Sequence, residues 1–268
     1  MYLIINSECN FIPQEVQPLT SSGTALLNLL YCLGYDAQNP PLADLLRRVY
    51  SLQGNWLVLS PVHWQATHND ALIVATGKDL ELQEDETKLW FDLFSDYLGA
   101  EGWRLYYHDA ETWLLCDREN HPLKAKPPQQ LLGKSLMSEL TQLDHTLFWQ
   151  KFITESQMLF ASKPNQSGVN GLWPWGNAKL IDKTITICAD EFFLSMAKMC
   201  GTNVTKYSPS IKLKEQQILL LTEFSILSEQ HQEELKKLVV HWYWNNIAYT
   251  SSNSSWFIRL WRKIIYAN

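Results

Sequence analysis

Tyr2-Leu3-Ile4-Ile5, followed by Ser21-Ser22-Gly23 and the run Thr24-Ala25-Leu26-Leu27-Asn28-Leu29-Leu30-Tyr31-Cys32-Leu33-Gly34, is the stretch on which the fold class turns. Four continuous apolar residues without polar alternation read as a short buried strand. Leu26, Leu27, Leu30 and Leu33 then recur at helical spacing, and Gly34 supplies a helix stop. Working outward, Pro40-Pro41 opens a second helix over LADLLRRVY, and WLVLSPVHW (56–64) reads as a strand ending at Pro61. Strands alternating with helices predict an α/β fold with a mixed or mostly parallel sheet flanked by helices.

The same pattern continues along the 268 residues. Residues 71–76 (ALIVAT) read as a strand, and 84–97 as a helix with Leu89, Trp90, Leu93 and Phe94 on one face. Residues 103–117 read as an aromatic hairpin that turns through His108-Asp109-Ala110-Glu111. A Pro-containing loop at 124–130 precedes a helical region that runs to residue 160. The segment ITICAD reads as a strand, EFFLSMAKMCG as a helix, ILLLTEFS as a strand and SEQHQEELKKLVVHWYW as a helix. There is no internal repeat. The expected organisation is an α/β core from residues 1–62 and 169–268, with 63–168 as an inserted α+β lobe, or else one continuous domain.

Composition narrows the class. Hydrophobic residues make up 46% and charged residues 19%, which excludes a largely disordered chain. A net charge of -6 gives no global support for nucleic acid, whose phosphates call for a basic face, with a local exception at the C-terminus. Cys9, Cys32, Cys116, Cys188 and Cys200 are scattered and form no C-x-x-C pair, so they read as reduced thiols in a cytoplasmic protein. The start MYLIINSECNF reads as a strand rather than a signal peptide, and no segment has the roughly 18 consecutive apolar residues of a spanning helix.

Several residues are candidates for chemistry. His63, His68 and Asp70 are the nearest approach to a metal-ligand cluster, set against a solvated loop. His108-Asp109 sits in the hairpin turn, where Asp ordinarily bonds its own backbone. Asp190-Glu191 follow the ITICAD strand, where open α/β sheets bind ligands, although a carboxylate there also caps a helix. The basic, aromatic segment 256–266 (WFIRLWRKIIY, with Arg259, Arg262 and Lys263) fits either a packed terminal element or a membrane or acidic-partner contact. No G-x-S-x-G elbow, P-loop or G-x-G-x-x-G turn is present.

The sharpest feature is Val169-Asn170-Gly171-Leu172-Trp173-Pro174-Trp175-Gly176, with Pro164-Asn165 upstream. It resembles the "HPvN…N-x-(L/I)-W-x-W-G-x-G" signature of archaeal-type cofactor-independent phosphoglycerate mutases of the alkaline phosphatase superfamily. It is similar also to RpfE-type bacterial regulatory proteins, which are described as relatives of those mutases. In that group a Pro-x-His strand end, an acidic helix, an aromatic hairpin, a Pro-containing loop and a helix precede the Trp-x-Trp-Gly motif. Here these fall at 61–63, 81–97, 103–117, 124–130 and 148–160. The resemblance implies an alkaline-phosphatase-like core with a smaller lobe.

The mutases use two metals and a Ser nucleophile, and this chain departs from that pattern. Asn6-Ser7-Glu8 stands where an Asp-Gly pair is looked for, and Ser225-Ile226 where an Asp-His pair is. Lys163 replaces the signature His, and Ala178 the second Gly. The expectation is therefore a non-catalytic relative with no catalytic residue, metal or cofactor, acting as a regulatory or binding protein. Asn165, Asn170, Trp173, Trp175, Gly176 and Asn177 would form its ligand-binding surface, for a protein or a small phosphorylated ligand; the alternative for the two Trp side chains is packing a turn that docks the lobe onto the core. The competing expectation is a metal-dependent mutase or phosphatase with an altered metal site drawn from Glu8, Asp70, Asp190 or the histidines. A third is an interaction module that works through segment 256–266.

Overall fold

The structure, a computed structural model, describes residues 1–10, 16–162 and 168–251. The chain forms two compact units, Met1–Tyr35 with Leu180–Asn268, and Asp36–Lys179. The first unit opens with β1 (Tyr2–Ile5), β2 (Gln17–Leu19) and α1 (Ala25–Cys32). The second contains α2 (Leu42–Val49), β3 (Trp56–Ala66), β4 (Ala71–Thr76), α3 (Glu84–Ala100), β5 (Arg104–Asp109) and β6 (Thr112–Cys116), then α4 (Met137–Gln142), α5 (Phe148–Ala161) and β7 (Gly171–Trp175). The chain returns to the first unit with β8 (Lys183–Ala189), α6 (Leu194–Cys200), β9 (Gly201–Lys206), β10 (Ile218–Leu221), α7 (Glu229–Leu235), β11 (Val240–Tyr243) and β12 (Ala248–Ser251).

The first unit is a seven-stranded sheet in the order β2-β12-β11-β1-β10-β8-β9. β11, β1, β10, β8 and β9 run parallel, and β12 and β2 add an antiparallel edge. The expected α/β fold with a mostly parallel sheet is thus present. β1 is central and buried from Leu3 onward, as its unbroken apolar run requires. Leu3, Ile5, Leu219, Leu221, Val240 and Trp242 pack one face together with Phe224, Trp244 and Tyr249. Thr24 caps α1 by accepting from Leu27 N–H, and Asn28 on that helix is fully buried. The Asn28 amide donates to Trp244 C=O at 3.1 Å and accepts from Ser22 N–H at 2.7 Å, which fixes α1 against the end of β11.

The second unit is an antiparallel sheet built on β3. This long strand pairs β6 over Trp56–Leu59, β7 over Val58–Val62 and β4 over Val62–Ala66, while β5 pairs the far side of β6. α3 and α5 bury Trp90, Phe94, Trp149, Phe152 and Phe160, with Trp90 and Phe160 ring centroids 4.6 Å apart.

Three expectations change. The division of the chain lies at 35/36 and 179/180 instead of 62/63 and 168/169, because β3 and β7 belong to the second sheet. The earlier division cuts β3 between Val62 and His63, inside a continuous ladder. β3 also runs through Pro61 rather than ending there. Pro61 falls between the last residue paired to β6, Leu59, and the first paired to β4, Val62, so its missing N–H coincides with a change of partner. Finally, α7 stops at Leu235, and Val240–Tyr243 form strand β11 rather than a helical extension. The β-branched Val240 and the aromatic Trp242 and Tyr243 favour the sheet once β1 and β12 are there to pair with.

Candidate functional site

Parallel strands bring their carboxyl ends to one edge, where open α/β sheets place ligands. In the first unit that edge carries Asn6, Ser7 and Glu8 after β1, Asp190 and Glu191 after β8, Thr222 and Glu223 after β10, and Asn245 and Asn246 after β11. Asn245 N–H donates to Ser7 C=O at 3.0 Å, and its side-chain amide donates to Asn6 Oδ1 at 3.3 Å. Asn246 accepts from Cys9 N–H at 2.8 Å and donates to Cys9 C=O at 2.9 Å.

Asp190 is buried and both of its carboxylate oxygens are engaged. Oδ2 accepts from Thr222 N–H at 2.6 Å and from Thr222 Oγ1–H at 2.7 Å, and Oδ1 accepts from Phe193 N–H at 3.2 Å. It therefore ties the end of β8 to the end of β10 and holds the turn that leads into α6, while the N-cap of that helix is Phe193 and carries no side-chain cap. Around it Glu8, Glu191 and Glu223 are exposed, Lys206 pairs with Glu191, and Ser225 Oγ donates to Glu223 at 3.0 Å. Among the described residues of this edge, Glu8, Asp190, Glu191 and Glu223 set four carboxylates against the Lys206 ammonium, an acidic balance. Among the described residues no three His, Cys, Asp or Glu side chains gather as a metal site.

The Trp-x-Trp-Gly segment is a buried strand rather than an exposed loop. Trp173 is 0% and Trp175 2% exposed. Trp173 Nε1–H donates to Lys126 C=O at 2.8 Å and Trp175 Nε1–H to Ser60 Oγ at 3.0 Å, so both indoles are packed and satisfied. Asn170 acts as a piece of backbone: its amide accepts from Trp64 N–H at 2.6 Å and donates to Trp64 C=O at 2.9 Å, prolonging the β7 ladder beyond the strand. Gly176 ends the strand at φ +71, and its C=O accepts from Ala43 N–H at the start of α2. An added Cβ there would meet Val58 at 3.3 Å. Asn177 donates to Leu123 C=O at 3.3 Å. Asn170, Trp173, Trp175, Gly176 and Asn177 thus each hold a contact within the second unit. Asn165 and the segment 256–266 lie outside the described residues.

Gly171 gives this motif a direct test. A Cβ there would sit 2.7 Å from two ring atoms of the buried Trp64. Gly171→Ala is expected to cost about 1–3 kcal/mol through overpacking, read from the denaturant midpoint at unchanged slope.

The remaining candidates also have structural employment. Asp70 Oδ1 accepts from Ala71 N–H and Ser135 Oγ, and it does not join His63 and His68 in a metal cluster. His108 is not at the turn but inside β5, with Nδ1 2.6 Å from Tyr50 OH and Nε2 3.6 Å from Asp109. Burial holds its imidazole below the ordinary value, with the Asp109 carboxylate opposing. Asp109 bonds Glu111 N–H, as expected of a turn residue. Sequence reading missed His121, which stacks on Phe148 with centroids 3.8 Å apart and contacts Asp117 at 2.9 Å. Only the D-x-x-x-H spacing hinted at it. Burial pushes the Cys32 thiol up to about 12, against a hydrogen bond with Tyr243, and the Cys188 thiol up to about 11. Neither is a thiolate nucleophile near neutral pH.

No helix among the described residues is long and apolar enough to cross a membrane. No protein-family model matches the chain, and no curated protein matches it. Among solved structures it is similar to the cofactor-independent phosphoglycerate mutase from Thermoplasma acidophilum DSM 1728, with a TM-score of 0.36 and 9% sequence identity over 94% of this chain and 90% of that chain, a distant similarity.

Proposed function

We propose that this chain is a non-catalytic binding protein with a regulatory role, and that its ligand surface is the carboxyl edge of the first sheet. The observation that carries this reading is the state of Asp190. Among the described residues at that edge, Asp190 is the buried carboxylate, and it accepts three hydrogen bonds from Thr222 and Phe193 out of about four lone-pair sites, so it serves the framework instead of standing ready for a metal or a proton transfer. The edge otherwise offers amides, hydroxyls and exposed carboxylates, which suit recognition better than covalent chemistry. Its acidic balance repels a phosphate group that arrives without a cation, so a protein partner is favoured over a small phosphorylated ligand.

The second reading is a metal-dependent phosphoglycerate mutase or phosphatase with an altered site, the one case that calls for a divalent metal. It requires Asp190 to give up its bonds to Thr222 and to recruit Glu8 or Glu223. A thermal-melting scan with manganese or zinc, alone and together with phosphoglycerate, separates the two. Ligand at 100 times its dissociation constant adds about 2.7 kcal/mol, and each kcal/mol moves the midpoint of a protein this size by about 2–4 °C. No shift is expected. A shift that needs both metal and phosphoglycerate would overturn the binding-protein reading.

A further inference from the structure

β9 is the outermost strand of the first sheet and pairs only with β8 among the described strands. Tyr207 N–H, one residue past its end, donates to Ala189 C=O at 2.7 Å. Backbone groups alternate between the two edges of a strand. Gly201, Asn203 and Thr205 therefore turn their N–H and C=O toward β8, and Thr202, Val204 and Lys206 turn theirs outward. No backbone partner for those outward groups is found among the described residues.

Native sheets blunt such edges with proline, charge, bulges or very short strands. The opposite edge of this sheet does so: β2 has three residues, with Pro18 at its centre. β9 does not. It has six residues, GTNVTK, with no proline and a single charge at its end, and its side chains are exposed or half-buried throughout. The irregularity in its pairing falls between Lys183 and Thr186, where β8 carries the additional residue, so β9 itself stays regular.

We propose that β9 pairs antiparallel with β9 of a second copy of this chain, about a two-fold axis through Val204, making one sheet continuous across both copies. The register follows from symmetry. A two-fold axis perpendicular to a sheet keeps each side chain on its own face, so it pairs a residue with itself or with one an even number of positions away. Centred on Val204, the pairing sets Thr202 opposite the partner's Lys206 and Lys206 opposite the partner's Thr202, and it uses every outward backbone group. Centred on Asn203, only Thr202 and Val204 find outward-turned partners, and Lys206 falls opposite Cys200 at the end of α6 and is left unpaired. The Val204 register also separates the two like charges by the length of the strand, so nothing in the pair repels.

Sedimentation equilibrium over a concentration series tests this, with Thr202 as the probe because it is exposed and opposite the partner's Lys206. The native chain is expected to dimerise. Thr202→Lys is expected to raise the dimer dissociation constant about tenfold, since the substituted position occurs twice per dimer, and Thr202→Glu to lower it. Both signs run against the effect of net charge: the first variant makes an acidic chain less acidic and the second more so. A native chain that stays monomeric throughout the series overturns the proposal. So do two variants that shift association in the same direction, or that leave a native dimer unchanged.

Discussion

Trp173→Ala is expected to lower the thermal midpoint by about 6–20 °C, the largest loss of any single change in the Trp-x-Trp-Gly segment. The side chain is fully buried and its ring lies 5.7 Å from that of Trp64. Truncating an enclosed Trp removes its transfer free energy and leaves a cavity, together about 3–5 kcal/mol, and the midpoint shift follows at about 2–4 °C per kcal/mol. Trp173→Phe separates ring from N–H. It keeps most of the volume but strands Lys126 C=O, which the indole reaches at 2.8 Å, and is expected to cost about 1–3 kcal/mol. A recognition residue behaves otherwise: its truncation changes stability by less than about 0.5 kcal/mol and acts on binding. A Trp173→Ala protein that melts with the native one would therefore restore the segment as a ligand surface.

That contrast marks where the sequence stopped being informative. The periodicity of Tyr2–Ile5 and of the Leu-rich run after Thr24 carried the strand and the helix, because burial on both faces and on one face leave different patterns. Strand membership left no such trace. β3 and β7 are as apolar as β1 and β10, and nothing local to WLVLSPVHW says which sheet it joins. β9 and β12 went unread because GTNVTK and AYTS are polar edge or near-edge strands, whose pairing is decided by neighbours distant in sequence. VHWY was absorbed into a helix for the same reason.

The candidate site was legible at Asp190-Glu191, through its position after a strand, and at Asn6-Ser7-Glu8 through the resemblance alone. Its partner Thr222 stands 32 residues away, and Asn245 meets Asn6 across 239 residues, so no motif could announce either. The Trp-x-Trp-Gly segment shows the converse. Two Trp side chains beside Asn and Gly look like a binding surface, yet here both indole N–H groups and both ends of the Asn170 amide meet a backbone group or a buried hydroxyl. Asn170 replaces a missing strand residue at the point where the β3–β4 pairing shifts register, between His63 and Trp64. An unusual residue combination therefore marks constraint before it marks function, and the partners of its polar atoms decide between the two.

Asp144→Ala is expected to cost about 2–4 kcal/mol at neutral pH, the loss growing from several charge-assisted bonds to one carboxylate. Asp144 is 5% exposed and stands just ahead of α5. Oδ1 accepts from Thr146 N–H at 2.6 Å, Thr146 Oγ1 at 2.7 Å and Phe148 N–H at 3.1 Å, and Oδ2 accepts from Trp149 N–H at 2.9 Å. These bonds satisfy otherwise orphaned donors of the first helical turn, and the negative charge suits that end of the helix dipole. They also hold Leu147 at φ +61, a strained conformation for leucine. Burial raises the Asp144 carboxyl, but the bonds from Trp149, Thr146 and Phe148 outweigh it, and the net displacement is below the ordinary value. A carboxyl held low in the fold contributes stability that is complete above its unfolded value, about 3.9, and that is lost as pH falls through the folded value. Denaturant midpoints measured from neutral pH down to about 3 should therefore fall for the native chain below about pH 4, and fall less steeply for the variant. Equal acid slopes in the two proteins would show that the carboxylate is not ionised in the fold, and the helix start would have to be held by its packing against β7 alone.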